Sequence, residues 1–155
     1  MLPFFEWCEA TWLGTAVRES IWAFPVIEAV HLLGLSLLGG SLLIVDLRML
    51  GIGLTRQPIA LLARDARPWL LAAIAVMILT GVPLFLSEAV KCYYSTPFRV
   101  KVIALPLALV YTFVVRERVA QQPALETSRR SRAAGAVSIA LWLTVAAAGR
   151  WIGYS

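Results

Sequence analysis

Long runs of apolar residues, separated by short polar stretches, are the dominant pattern of this chain. A hydrocarbon core about 30 Å thick is crossed by about 20 helical residues, each of which rises about 1.5 Å. Four runs reach that length, at about 21–45, 68–86, 98–115 and 133–152. Backbone groups in lipid need partners within their own segment, and four spans are too few to close a barrel. The pattern therefore predicts an all-α fold, an integral membrane four-helix bundle.

A shorter pattern precedes the first span. Within about residues 3–13, apolar side chains recur at helical spacing on the side opposite Glu6 and Glu9, namely Phe4, Phe5, Cys8 and Trp12. This spacing predicts a short amphipathic helix in the membrane interface. The first residues lack the basic start and the cleavage site of a secretory signal, so we expect the N-terminus to be retained. Residues 1–155 then form a single membrane domain.

Composition and charge support this interpretation and set an orientation. Hydrophobic residues make up 60% of the chain and charged residues 15%, which is typical of a polytopic membrane protein. The formal net charge is +5, but most arginines lie in two short loops, after spans one and three, where they act as topology signals. We expect both loops to be cytoplasmic and both termini to be periplasmic, in a bacterial inner membrane. No nucleic-acid partner is expected.

The main candidate for chemistry is His31, the one histidine of the chain. It lies inside span one, one helical turn after Glu28 and one turn before Gly34. Ionisable groups at this depth are costly unless they are paired, ligated or face a cavity. Residues three or four apart share a helix face, so these three form one stripe, with a glycine that would let a flat group approach. The alternative is that Glu28 and His31 only bind neighbouring helices together.

His31 is a candidate axial ligand for haem b, because imidazole is a common protein ligand of haem iron. Because the chain has no second histidine, the haem would be five-coordinate, take an unusual second ligand, or take a ligand from another chain. The Glu28-Xaa-Xaa-His31 spacing also resembles half of a di-iron carboxylate motif, but the other half is missing. Lys101 is predicted to point into the bundle from span three, where it would pair with Glu28 or a haem propionate, or else snorkel to the interface.

Asp46 and Arg48 lie near the inner end of span one. Residues two apart cannot face each other on a helix, so each is expected to find a partner on another element. The following Gly51 is predicted to be the C-cap of this helix.

Cys8 and Cys92 both fall on the predicted outer side, where disulfides persist. A bridge between them is one expectation. Two free thiols, with Cys8 packed as a small hydrophobe, are the other.

The chain resembles an uncharacterised bacterial family of four-span membrane proteins. The residues that carry the resemblance are Trp22, Pro25, Glu28, His31, Gly34, Asp46, Leu47, Arg48, Leu50 and Gly51. More distantly, His31 together with Phe98 and Lys101 is similar to the copper-resistance D family and the J-type protoporphyrinogen oxidases. For the J-type oxidases, the similarity implies a haem-linked histidine and a nearby lysine. The chain lacks the additional histidines of those families, so their oxidase activity does not carry over.

Three functions remain open on the sequence. The first is haem-based electron transfer, or the membrane subunit of a redox complex, with a site at Glu28, His31, Gly34 and Lys101. The second is a structural or assembly subunit of a larger membrane complex or homo-oligomer, and the third is a small transporter or proton relay. No complete catalytic constellation is present, so an enzyme is not favoured.

Overall fold

The computed structural model describes residues 1–154, and every regular element in that range is a helix. Four helices are long and apolar enough to cross a membrane. They are α3 (Ala23–Leu50), α4 (Ile59–Ser87), α6 (Thr96–Val110) with its continuation to Ala120, and α8 (Arg129–Ile152). The predicted all-α membrane bundle is confirmed.

The shorter elements lie at the two ends of this bundle. Helices α1 (Leu2–Glu9), α2 (Trp12–Glu19) and α5 (Ala89–Tyr94) lie at the terminal end, by which we mean the end with both chain termini. A π-helical segment (Tyr111–Arg116), α7 (Glu117–Ala120) and a 3₁₀ turn (Pro123–Leu125) lead to the opposite end. We call that opposite end the arginine end, because it holds the two arginine-rich connections.

The core is formed by α3, α4, α6 and α8 in contact. Its buried apolar residues include Leu38, Leu42, Leu70, Ala108 and Trp142. A second cluster lies nearer the arginine end, with Val45, Met49, Ile59, Ala120 and Ala134. These side chains contribute close contacts to the helix packing, which helix propensity alone does not direct.

Helix α4 begins nine residues before the predicted span, so Pro68 lies inside the helix and not in its first turn. The added turns are amphipathic, with Arg64 and Asp65 exposed while Ile59 is buried. A search for uninterrupted apolar runs misses such turns, because their polar face belongs at the membrane surface. The backbone N–H of Ile59 donates to Glu126 Oε1 at 3.0 Å, which satisfies one of the free amides at the helix start.

The third span is also longer than predicted, and it changes its winding. The helix continues through Pro106 and widens to π-helical turns over Tyr111–Arg116. Segments of this kind are often found at functional sites.

The predicted interfacial helix at about 3–13 is two helices, α1 and α2. The helix is interrupted at Ala10. Thr11 is the N-cap of the second helix, because its Oγ1 accepts the N–H of Gly14. Glu9 connects the elements: its carboxylate accepts the N–H of Val90 at 2.7 Å and pairs with Arg18 at 3.1 Å. These helices cover the terminal end of the bundle.

Close packing at the arginine end predicts a glycine requirement. A Cβ added to Gly135 of α8 would lie 2.9 Å from the backbone oxygen of Asp46 and 3.0 Å from Met49 Cβ. Gly135→Ala should therefore lower the free energy of unfolding in detergent micelles by about 1–3 kcal/mol. Gly39→Ala is the matched control, because a Cβ there meets nothing within 4 Å. Equal stability of the two variants would contradict the packing described here.

Candidate functional site

His31 is half-buried between α3 and α4, and its neighbour on α4 fixes its tautomer. His31 Nδ1 lies 2.7 Å from Thr80 Oγ1. The single proton of the Thr80 hydroxyl is donated to the backbone oxygen of Val76, at 2.6 Å. Thr80 must therefore accept from His31, so the neutral imidazole carries its proton on Nδ1. The Nε2 lone pair is then left as an acceptor or a metal ligand.

Two glycines flank this region, and they differ in role. A Cβ on Gly81 would lie 3.3 Å from His31 Cε1, so the glycine lets the imidazole lie against α4. A Cβ on Gly34 would lie 2.9 Å from Val76 Cγ1. The space expected above Gly34 for a flat group is thus filled by a valine side chain, and Gly34 serves the packing of α3 on α4.

Lys101 is half-buried on α6 and lies against α8. Its Nζ is 3.4 Å from where a Cβ on Gly149 would be. Lys101 thus lies between α6 and α8, whereas His31 lies between α3 and α4. No ion pair of Lys101 is found among the described residues.

Glu28 does not join them. Its side chain is exposed and forms no ion pair within residues 1–154. Residues three apart on a helix differ by about 60° in direction, and this offset takes Glu28 off the face that His31 presents to Thr80. The predicted Glu28–Lys101 pair is therefore not present, and the expectation that Glu28 faces the interior is wrong.

A stronger polar site lies in the arginine half of the bundle, which we call the Asp46 network (Asp46, Arg116 and Ser138). Arg116 Nε donates to Asp46 Oδ1, and Ser138 Oγ donates to Asp46 Oδ2 at 2.6 Å. Arg116 Nη2 also donates to the backbone oxygen of Leu42, at 3.1 Å. Because each carboxylate oxygen has a donor, the buried charge is paired and hydrogen-bonded.

Next to this network, the indole of Trp142 donates to Thr112 Oγ1 at 2.9 Å. Thr112 in turn donates to the backbone oxygen of Ala108 at 2.7 Å. Tyr111 donates to the backbone oxygen of Ala134 at 3.2 Å. The π-helical turns thus bond to α8 through one donor, Tyr111, and one acceptor, Thr112.

Sequence reasoning missed the Asp46 network because Arg116 was assigned to a loop as a topology signal. A usable signal was present. Thr112 and Arg116 are four residues apart, as are Ser138 and Trp142, so each pair shares a helix face. The expectation that Asp46 and Arg48 find partners on other elements is confirmed.

Arg48 closes the arginine end. Its Nη2 lies 2.9 Å from Glu126 Oε1, and its Nε donates to the backbone oxygen of Gln57 at 2.7 Å. Gly51 has φ of 80° and donates to the carbonyls of Leu47 and Arg48, which confirms the predicted C-cap.

A small cavity lies beside Arg116, between α3, α4 and the π segment. Its volume is about 10 Å³, and its polar lining comes from Ser41, Arg67, Arg116 and Glu117. This is room for about one water molecule with polar partners.

Neither a metal cluster nor a disulfide is found in the described part of the chain. No three His, Cys, Asp or Glu residues of the described range come together to hold a metal ion. Glu28 and His31 are therefore not joined by further ligands of a di-iron site in that range. Cys8 and Cys92 are buried free thiols on α1 and α5, which pack against each other. The bridge between them is not formed in the structure.

Comparison with known proteins places this four-helix membrane protein in a family. Residues 4–155 match a family of unknown function, DUF6644, and the chain belongs to it. This agrees with the predicted membership of an uncharacterised family. Searches of curated proteins and of solved structures gave no match.

The Asp46 network predicts a large loss of stability when only one partner of the buried ion pair is removed. Arg116→Met should lower the free energy of unfolding by about 3–5 kcal/mol, because it leaves the Asp46 carboxylate buried without its countercharge. The double variant Arg116→Met/Asp46→Leu should recover part of that loss. Arg67→Met is the control, since the side chain of Arg67, which pairs with Glu117, is more than half exposed. A double variant no more stable than Arg116→Met would contradict the account.

The cysteines give a pH-dependent prediction. Burial, and then the nearby Glu88 carboxylate, raise the pKa of Cys92 to about 11. Cys92 therefore stays a protonated thiol below about pH 10, and only the thiolate is an effective nucleophile. Iodoacetamide should label Cys92 in detergent-unfolded protein at pH 8.5 but not in the folded protein, as read by mass spectrometry. Cys8–Cys92 linked peptides in non-reduced protein would instead establish the bridge.

Proposed function

We propose that this protein holds haem b through His31 Nε2 and acts in electron transfer, either alone or as the membrane subunit of a redox complex. The observation that supports this most is the hydrogen bond from His31 Nδ1 to Thr80. Metal-ligating histidines usually donate their other ring N–H to an acceptor, which fixes the tautomer and the ring orientation. His31 on α3 and its acceptor Thr80 on α4 have that arrangement.

The residues around His31 fit the group in part. His31 would hold the iron and Lys101 would offer a cation to a propionate, whereas the Cε1 edge of the imidazole lies against Gly81. Haem would supply one-electron transfer, with a potential that depends on its axial ligands and surroundings. The sequence has no second histidine, so any further iron ligand would be of another residue type or would come from another chain.

We also propose that the arginine end is cytoplasmic and that the terminal end is periplasmic. Nine of the basic residues and four of the acidic ones lie at the arginine end, whereas the terminal end has five of each. This asymmetry supports the orientation through the positive-inside rule. His31 then lies in the periplasmic half of the bundle.

The proposal predicts a haem spectrum that depends on His31. Protein purified from haem-supplemented cells should show a Soret band, and His31→Ala should abolish it while the protein stays folded. Thr80→Val should weaken haem affinity about 10- to 100-fold, because the acceptor that orients the ligand is lost. Thr144→Val is the matched control, since Thr144 makes the same bond to its own helix, at 2.8 Å to the oxygen of Ala140, but has no histidine partner.

Two outcomes would overturn the haem proposal. One is a colourless protein even when haem is supplied, and the other is full haem retention in His31→Ala. A colourless protein that co-purifies with other membrane proteins would favour the assembly subunit. The exposed Glu28 favours that second candidate, because an exposed carboxylate within a span would pair with a basic group on a partner helix.

A further inference from the structure

The arginine end carries more positive charge than its own acids neutralise. Each acid there has a basic partner: Asp46 pairs with Arg116, Asp65 with Arg64, Glu117 with Arg67, and Glu126 with Arg48. The exposed arginines left without an acidic partner among the described residues are Arg56, Arg118, Arg129, Arg130 and Arg132. An anionic partner therefore has a place to bind at this end.

Three of these arginines surround the first turn of α8. Arg129, Arg130 and Arg132 are exposed, whereas Ser131 and Ala134 on the other side of the same turn are buried. Arg118 is exposed on α7, which packs against α8. The positive end of the α8 dipole adds to this field.

A strip of small side chains continues from the arginines along the exposed face of α8. It consists of Ala133, Ala136, Ala140, Thr144 and Ala147, all exposed. These positions recur three or four residues apart, so they lie on one face. The strip therefore runs from the charged turn into the span without large side chains of its own.

We propose that this surface binds a diacyl anionic phospholipid, with its phosphate on Arg129, Arg130 and Arg132 and an acyl chain along the small-residue strip. Guanidinium groups bind phosphate oxygens in pairs of parallel hydrogen bonds, which gives both affinity and geometry. A second copy of this chain is disfavoured, because a parallel contact through this face brings two arginine clusters together. The proposal stands independently of any haem at His31.

The test uses the full chain in neutral phosphatidylcholine nanodiscs, titrated with phosphatidylglycerol and read by native mass spectrometry. The wild type should bind phosphatidylglycerol, with an apparent affinity that falls as salt is added. Arg129→Gln/Arg130→Gln should weaken it about tenfold or more, since two charges close to an anionic headgroup are lost. Arg99→Gln/Arg150→Gln, which removes two exposed arginines from the terminal end, should leave it unchanged.

The remaining arms separate other occupants. Inorganic phosphate and glycerophosphoglycerol, which lacks acyl chains, should not compete at equal concentration; equal competition would overturn the lipid assignment in favour of a simple anion site. A dimer that Ala140→Leu abolishes would show that a second copy covers the strip, and would also overturn it. Arg129→Lys/Arg130→Lys keeps the positive charge that sets the membrane orientation, and this variant should bind phosphatidylglycerol better than Arg129→Gln/Arg130→Gln. Equal weakening by the two pairs of glutamine variants would refute a local site.

Discussion

The buried Asp46–Arg116 pair is the interaction on which the arrangement of this bundle depends. A carboxylate placed between helices is tolerated only when its charge is compensated and its oxygens have donors. Asp46 on α3 obtains one donor from the π segment and one from Ser138 on α8. Three spans are thereby fixed in rotation and in depth. Apolar contacts alone do so less well, because lipid tails solvate apolar side chains about as well as a neighbouring helix does.

The remaining span, α4, is held to these three by a different set of hydrogen bonds. Glu126, in the connection before α8, bonds both Arg48 at the end of α3 and the first amide of α4. A single carboxylate therefore replaces an N-cap that the preceding residue, Pro58, cannot supply through its side chain. Together with the Gly51 C-cap, this makes the arginine end the more tightly bonded half of the molecule.

The two halves of the bundle use their polar groups differently. At the arginine end, the hydrogen-bonding capacity of Asp46 is engaged in holding helices together. At the terminal end, His31 uses one ring nitrogen for Thr80 and leaves the other free to bind, while Lys101 forms no ion pair in the described range. A polar group that is not consumed by structure is the better candidate for function, so His31 carries the functional proposal although Asp46 is the more buried site.

The sequence by itself determined the class of fold, because length and apolarity decide which segments can cross lipid, and it placed the helix end at Gly51. It also singled out His31 and Lys101, since ionisable groups are rare at that depth. Tertiary structure decided the rest. Whether Glu28 faces inward depended on how α3 is rotated about its axis, which a stripe of residues three apart leaves open by about 60°. Arg116 looked like a loop charge until the π segment carried it to Asp46, 70 residues away in the chain. Residues on different helices become partners only when the helices pack, so the local sequence pattern of either helix does not predict the pairing.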